Sequence, residues 1–217
     1  MKKEYHLKNI GIDEPLELFG SLTNLSIYYN TPIVFLFDEH HGNENDCIIK
    51  NIENAKSLIN NANIVLIGVE SLAGGKEWEE EAGDYVTDDL NEKYYKEVTI
   101  NGWKNNCTNF CDALSINNLH LIIGVESVGM MNKIEVDIYN DKPADISNAI
   151  RNHPLSKLRS KHFIKTLLEH YSSKQLTGNL ILNCGSNHNE HIEEWIKSGE
   201  IDEIVGVKVT YVRINNF

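Results

Sequence analysis

Pro32-Ile33-Val34-Phe35-Leu36-Phe37-Asp38-Glu39-His40-His41-Gly42 is the stretch on which the fold turns. Its apolar part is short, β-branched or aromatic, and shows no polar alternation, which is how a strand covered on both faces of a parallel sheet reads. The abrupt change to Asp38-Glu39-His40-His41 marks the carboxyl end of that strand. Downstream, Ile48, Ile49, Ile52, Ala55 and Ile59 recur with helical spacing from Asn45 onward, and Asn60-Asn61 closes the helix. Ile64 to Val69 is a second buried strand ending in Glu70, so the segment is a βαβ unit with its helix over one sheet face.

The same grammar continues. Leu119 to Val125 predicts a strand ending in Glu126-Ser127, and it repeats the Ile-Gly-Val-Glu-Ser string of Ile67 to Ser71. Between these strands, residues 76–115 hold Trp78, Tyr94, Tyr95, Trp103 and many acids, which we read as a helical insertion or lid. Ile134 to Tyr139 reads as mixed strand or loop, Asp145 to Asn152 as a short helix stopped by His153-Pro154, and Ser156 to Tyr171 as a firmer helix. Asn179 to Cys184 predicts another strand, followed by Gly185-Ser186-Asn187-His188 and a helix through Ile192, Trp195 and Ile196 to Gly199. Ile204 to Val212 reads as a last strand at or near a sheet edge. The expected architecture is one α/β domain over residues 1–217, with an open, mainly parallel sheet, flanking helices and a helical insertion.

Composition narrows the function. At 217 residues the chain is long enough to bury roughly 70% of its unfolded surface, and 41% hydrophobic with 24% charged residues is a globular balance. A formal charge of −12 repels a phosphate backbone, and no basic stripe interleaved with aromatics offsets it, so nucleic acid is not an expected partner. No apolar run follows Lys2-Lys3 and none approaches the roughly 18 residues of a membrane span, so a cytoplasmic protein without a membrane partner is expected. The cysteines are expected as reduced thiols. Cys107 and Cys111 stand four apart, but no second Cys/His pair stands near them to complete a zinc site.

In open α/β sheets ligands bind beyond the carboxyl ends of the strands, where helix N-termini and loop side chains converge. Four such ends here carry acids or imidazoles: Asp38-Glu39-His40-His41, Glu70, Glu126, and Gly185-Ser186-Asn187-His188. A lone Glu at a strand end is more often a solvated turn residue or a cap, but the four together point to a site. Gly185 is expected to turn the chain off its strand and aim helix N–H groups at a ligand, and Gly42 to do likewise.

An early strand ending in Glu-x-His-Gly, a next strand ending in Glu, and a late strand ending in Gly-x-x-His before an amphipathic helix resemble the superfamily of erythromycin esterases, ChaN-like haem-binding proteins and Tiki/TraB proteins. The likeness covers Pro32 to about Ser71 and Leu180 to about Gly199. The glycine that usually opens the first motif is replaced by Asp38. The motif's acid corresponds to Glu39 in the ChaN-like version and to Asp38 in the esterase-like one. The second acid maps onto Glu70, and Gly-x-x-His onto Gly185 and His188. The family's Arg-Asp-x-x-Met-Ala helix resembles Arg159-Ser160-Lys161-His162-Phe163-Ile164, with the aspartate lost.

The resemblance implies a hydrolase acting on an ester, lactone or amide bond of a small-molecule or peptide substrate. In that reading Glu39, His41, Glu70, Arg159 and His188 carry catalysis, and Asp38, His40, Glu126 and Gly185 contact substrate. His41 or His188 takes a proton from water, Glu39 or Glu70 fixes its tautomer, and Arg159 stabilises an oxyanion. The aromatic insertion is expected to cover one cleft shared by Glu39, His41, Glu70 and His188. A competing reading makes His41, Glu70 and His188 ligands of a divalent metal, zinc, manganese or cobalt. Haem ranks lower, because the acids would surround an anionic macrocycle. A non-catalytic ligand-binding relative and a homo-oligomer stay open.

Overall fold

The apolar run that follows Pro32 is buried along its whole length, as its composition implies. The structure is a computed structural model that describes residues 1–39, 45–73 and 122–216. Its elements are β1 (Lys3–Leu7), β2 (Ile12–Leu18), β3 (Ser21–Ser26), β4 (Ile33–Glu39), α1 (Asn45–Asn61), β5 (Ile64–Ala73), β6 (Ile122–Glu126), α2 (Val128–Asp141), α3 (Ile146–Asn152), α4 (Pro154–Ser173), β7 (Asn179–Gly185), α5 (Ser186–Ser198), α6 (Ile201–Val205) and β8 (Thr210–Asn215). A single 3-10 turn at Lys8–Ile10 joins the first two strands.

The main sheet has the order β3-β8-β4-β7-β5-β6. Every pairing from β8 to β6 is parallel, and only β3 runs antiparallel, along β8. The protein is therefore an α/β fold with a mainly parallel sheet and flanking helices. β4 and β5 are joined through α1 but are not neighbours, since β7 enters between them from the far end of the chain. On one face α1 and the antiparallel β1–β2 hairpin enclose a core around Phe35, Phe37, Ile67, Ile181 and Leu58. On the other, α4 and α5 pack Phe163, Leu167, Ile192 and Trp195 against Val34, Leu36, Leu182 and Tyr211. Each fully buried side chain of this size contributes about 1.5–3 kcal/mol relative to exposure.

Close helix-on-sheet approach has a local cause. A Cβ on Gly68 would stand 2.9 Å from Val125 Cγ1 and 3.1 Å from Leu167 Cδ1, so only glycine lets α4 lie this tightly on β5.

Two sequence expectations are corrected. Ile134–Tyr139 lies within helix α2, not in a strand or loop: Ser127 caps the helix by accepting from Met130 N, and Met130, Met131 and Ile134 are buried at helical spacing while Val136 and Tyr139 are exposed. Ile204 and Val205 end helix α6, which stops at Gly206 (φ 71°); the last strand begins only at Thr210 and is flanked by β3 and β4. No helix among the described residues is long and apolar enough to cross a membrane. The expected helical insertion at 76–115, with Cys107 and Cys111, lies outside the described residues, while Cys47 and Cys184 are buried free thiols.

Candidate functional site

Parallel register delivers the strand ends to one edge: Glu39 stands opposite Gly185, and Val69 opposite Asn183. The pleat then sorts their side chains, because successive residues of a strand point to opposite faces. Asp38 follows Val34 and Leu36 toward α4 and α5, whereas Glu39 follows Phe35 and Phe37 toward α1. Glu70 continues the Leu66 side of β5 toward α4 and α5.

On that side Arg159 of α4 organises a buried cluster. Its Nε and Nη2 donate to Glu126 Oε1 and Oε2 at 3.0 and 2.6 Å, a two-pronged pair, and Nη2 also reaches Glu70 Oε1 at 3.1 Å. Arg159, Glu70 and Glu126 are 3%, 4% and 7% exposed. Burial works against the guanidinium charge, but Glu126 first and Glu70 next outweigh it and keep Arg159 firmly protonated. The other oxygen of Glu70, Oε2, accepts from Gly185 N at 2.6 Å. Helix α5 begins at the next residue without a side-chain cap, so the Glu70 carboxylate supplies the negative charge that a helix N-terminus favours.

His188, one turn into α5, sits between these carboxylates and α4. Its Nε2 is 3.5 Å from Glu70 Oε1, its Nδ1 is 2.8 Å from Ser160 Oγ, and its ring lies 4.7 Å from that of Phe163. Ser160 Oγ also stands 2.8 Å from His191 Nδ1 and 3.1 Å from Ser156 O. Burial, then the neighbouring His188, pushes the His191 imidazole below its ordinary range. Ser160 is fully buried in mid-helix, which denies a carbonyl substrate direct approach to its hydroxyl.

Asp38 is fully buried and bound within the fold. Arg213 Nε lies 3.1 Å from both of its oxygens, and Asn189 Nδ2 donates to Oδ1 at 2.8 Å. Burial pushes the Asp38 carboxyl up, with Arg213 and Asn189 pulling the other way. Arg213 continues to Glu193 at 2.7 Å, which ties β8 to α5.

Glu39, on the α1 face, terminates a ladder of buried amides. Asn54 Nδ2 donates to Asn216 Oδ1 at 3.1 Å, Asn216 Nδ2 to Asn51 Oδ1, Asn51 Nδ2 to Asn183 Oδ1 at 3.2 Å, and Asn183 Nδ2 to Glu39 Oε2 at 2.7 Å. Every donor points toward the carboxylate, an alignment in which each bond polarises the next.

Of the residues singled out from sequence, the structure brings together Glu70, Glu126, Arg159, Gly185 and His188. It places Glu39 on the opposite face, so Glu39 does not share one cleft with Glu70 and His188. His40, His41 and Gly42 lie outside the described residues. Gly185 has φ −56° and ψ 145°, a conformation open to any residue, and the anion on its N–H is Glu70. Ser160, His191, Asn183, Asn189 and Arg213 were not singled out. The available signals were single polar residues inside apolar runs: Asn183 in Leu180 to Cys184 and Arg213 in Tyr211 to Ile214 each need a buried partner.

For a divalent metal the donor set fits poorly. The proposed ligand oxygen Glu70 Oε1 already has a guanidinium nitrogen at 3.1 Å, and among the described residues no group of three or more His, Cys, Asp or Glu side chains is arranged to hold an ion. An open cavity of about 500 Å³, lined by Asn30, Thr31, Ala62, Gly178 and Asn179, lies at the opposite, N-terminal edge of the strands and is separate from this cluster. Comparison with known protein families, curated proteins and solved structures finds no match.

Proposed function

We propose that the chain is a hydrolase of ester, lactone or amide bonds whose chemistry lies at the carboxyl edge of the sheet. The observation that carries this reading is the buried placement of His188 Nε2 3.5 Å from Glu70 Oε1, with Arg159 holding that carboxylate ionised. A carboxylate beside an imidazole stabilises the imidazolium formed when the ring accepts a proton. His188 takes a proton at Nε2 from water as the water oxygen attacks the carbonyl carbon. The tetrahedral intermediate then expels its alkoxide or amine, which recovers that proton from His188. Arg159 Nε and Nη2 are occupied by the glutamates, which leaves Nη1 to face a developing oxyanion. Its main work is to fix both carboxylates, so its contribution to the reaction is positional.

The test is a panel of aryl esters, lactones and aryl amides offered to the wild-type chain and to Glu70→Gln. Hydrolysis of at least one class by the wild type, with a kcat reduced roughly tenfold or more in the variant, is the expected result. A folded wild type inert to all three classes, or a variant as fast as the wild type, contradicts the proposal.

A further inference from the structure

A count of hydrogens at one oxygen carries an inference beyond the choice of base, and it rests on the reading of His188 as that base. Ser160 Oγ has three polar neighbours in bonding range: His188 Nδ1 at 2.8 Å, His191 Nδ1 at 2.8 Å and Ser156 O at 3.1 Å. A hydroxyl offers one hydrogen and two lone pairs. Ser156 O is a carbonyl oxygen and can only accept, so its contact needs the hydroxyl hydrogen. The two imidazole contacts then each need a hydrogen from the ring. If the hydroxyl pointed instead at either ring, the 3.1 Å contact to Ser156 O would bring two lone-pair atoms together with no hydrogen between them. One arrangement satisfies all three contacts: both rings protonated at Nδ1.

We propose that Ser160 is a positioning residue that fixes neutral His188 in the Nδ1–H tautomer, leaving Nε2 bare toward Glu70 and the reacting water. The fit is directional. The neutral imidazole has one N–H, so holding it at Nδ1 exposes the lone pair of Nε2 on the side where the proton must be collected. Without Ser160 the Glu70 carboxylate, 3.5 Å from Nε2, favours the other tautomer, with Nε2–H facing the acid and no lone pair for water. Phe163 holds the ring plane from one side at 4.7 Å between centroids, and Ser156 lies one turn before Ser160 on the same helix, so the serine has little freedom to choose another partner. His191 shares the device: its ring donates to the same oxygen, which fills the second lone pair and closes the site to a competing donor. Ser160 itself does not attack the substrate.

Long-range 1H–15N spectra of the histidine rings in the ligand-free wild-type protein, recorded at about pH 8.5 where imidazoles are ordinarily neutral, read the tautomer without any substrate. The expected result is Nδ1 protonated and Nε2 bare on both His188 and His191, with His188 moving to the Nε2–H form in Ser160→Ala. A bare Nδ1 on His188 in the wild type overturns the inference, and so does a His188 tautomer unchanged in Ser160→Ala. Because the readout is spectroscopic, a chain that shows the Nδ1–H rings yet hydrolyses nothing upholds the hydrogen assignment and counts against the hydrolase reading alone.

Discussion

Replacing Arg159 by Met keeps the length of the side chain and removes the charge on which the cluster is built. Three hydrogen bonds disappear, at 3.0, 2.6 and 3.1 Å, and two carboxylates at 4% and 7% exposure are left without their cation. The gain of apolar volume is small, since the Arg159 stem is already packed at 3% exposure with its guanidinium over the Phe163 ring. The dominant effect is the uncompensated buried charge, and breaking a buried pair in this way costs about 3–5 kcal/mol. For a chain of this size that lowers the melting temperature by about 6–20 °C. Urea denaturation of the variant against wild type, with thermal melting alongside, measures it. Arg159→Lys should fall between them, because a lysine keeps the charge but not the fork that grips Glu126. A Met variant within about 1 kcal/mol of wild type, the range of an exposed pair, would refute the view that this triad is buried and ionised.

Other consequences are as concrete. Gly68→Ala puts a methyl 2.9 Å from Val125 Cγ1 and should cost about 1–3 kcal/mol by overpacking, read as a lower urea midpoint. Asn51→Leu removes the donor to both Asp38 O and Asn183 Oδ1 and should cost about 1–3 kcal/mol for each buried group left unpartnered, far more than an exposed Asn61→Leu. His191, whose imidazole is held below its ordinary range, gives stability a defined pH dependence: the unfolded chain binds that proton first. Its contribution is present above the unfolded value of 6.5 and is lost as pH falls through the lower folded value. Urea midpoints measured from about pH 8 to about pH 5 should decline less steeply in His191→Gln than in wild type, and parallel curves would exclude the assignment.

The sheet was legible where burial forces a local pattern. Ile33 to Phe37, Ile64 to Val69 and Leu180 to Cys184 are apolar because both faces are covered, and α1 and α5 show their core sides at helical spacing. Helix α2 was misread because Ile134, Val136 and Ile138 alternate like a strand. The cap at Ser127 and the burial of Met130, Met131 and Ile134 outweigh that alternation, since a β-branched residue tolerates a helix at a cost of only a few tenths of a kcal/mol, about the spread of propensities. The antiparallel strands β1, β2 and β3 are short and mostly polar, so they carry little of the signal that buried parallel strands do.

The site was half legible for a similar reason. That Glu70, Glu126 and His188 share an edge follows from strands that run parallel. That Glu39 leaves the group follows from the pleat, a one-residue difference that an end-of-strand argument ignores. Arg213 and Asp38, 175 residues apart, meet only through the order of the sheet, and no local pattern in either segment announces the other.

The measurement closest to the central claim is the rate at which His188→Gln hydrolyses whichever ester, lactone or amide the wild type accepts, with far-UV circular dichroism and melting confirming an intact fold. Loss of the base should lower kcat by roughly a hundredfold to ten-thousandfold and leave KM nearly unchanged. A folded His188→Gln protein turning over at the wild-type rate would contradict the account.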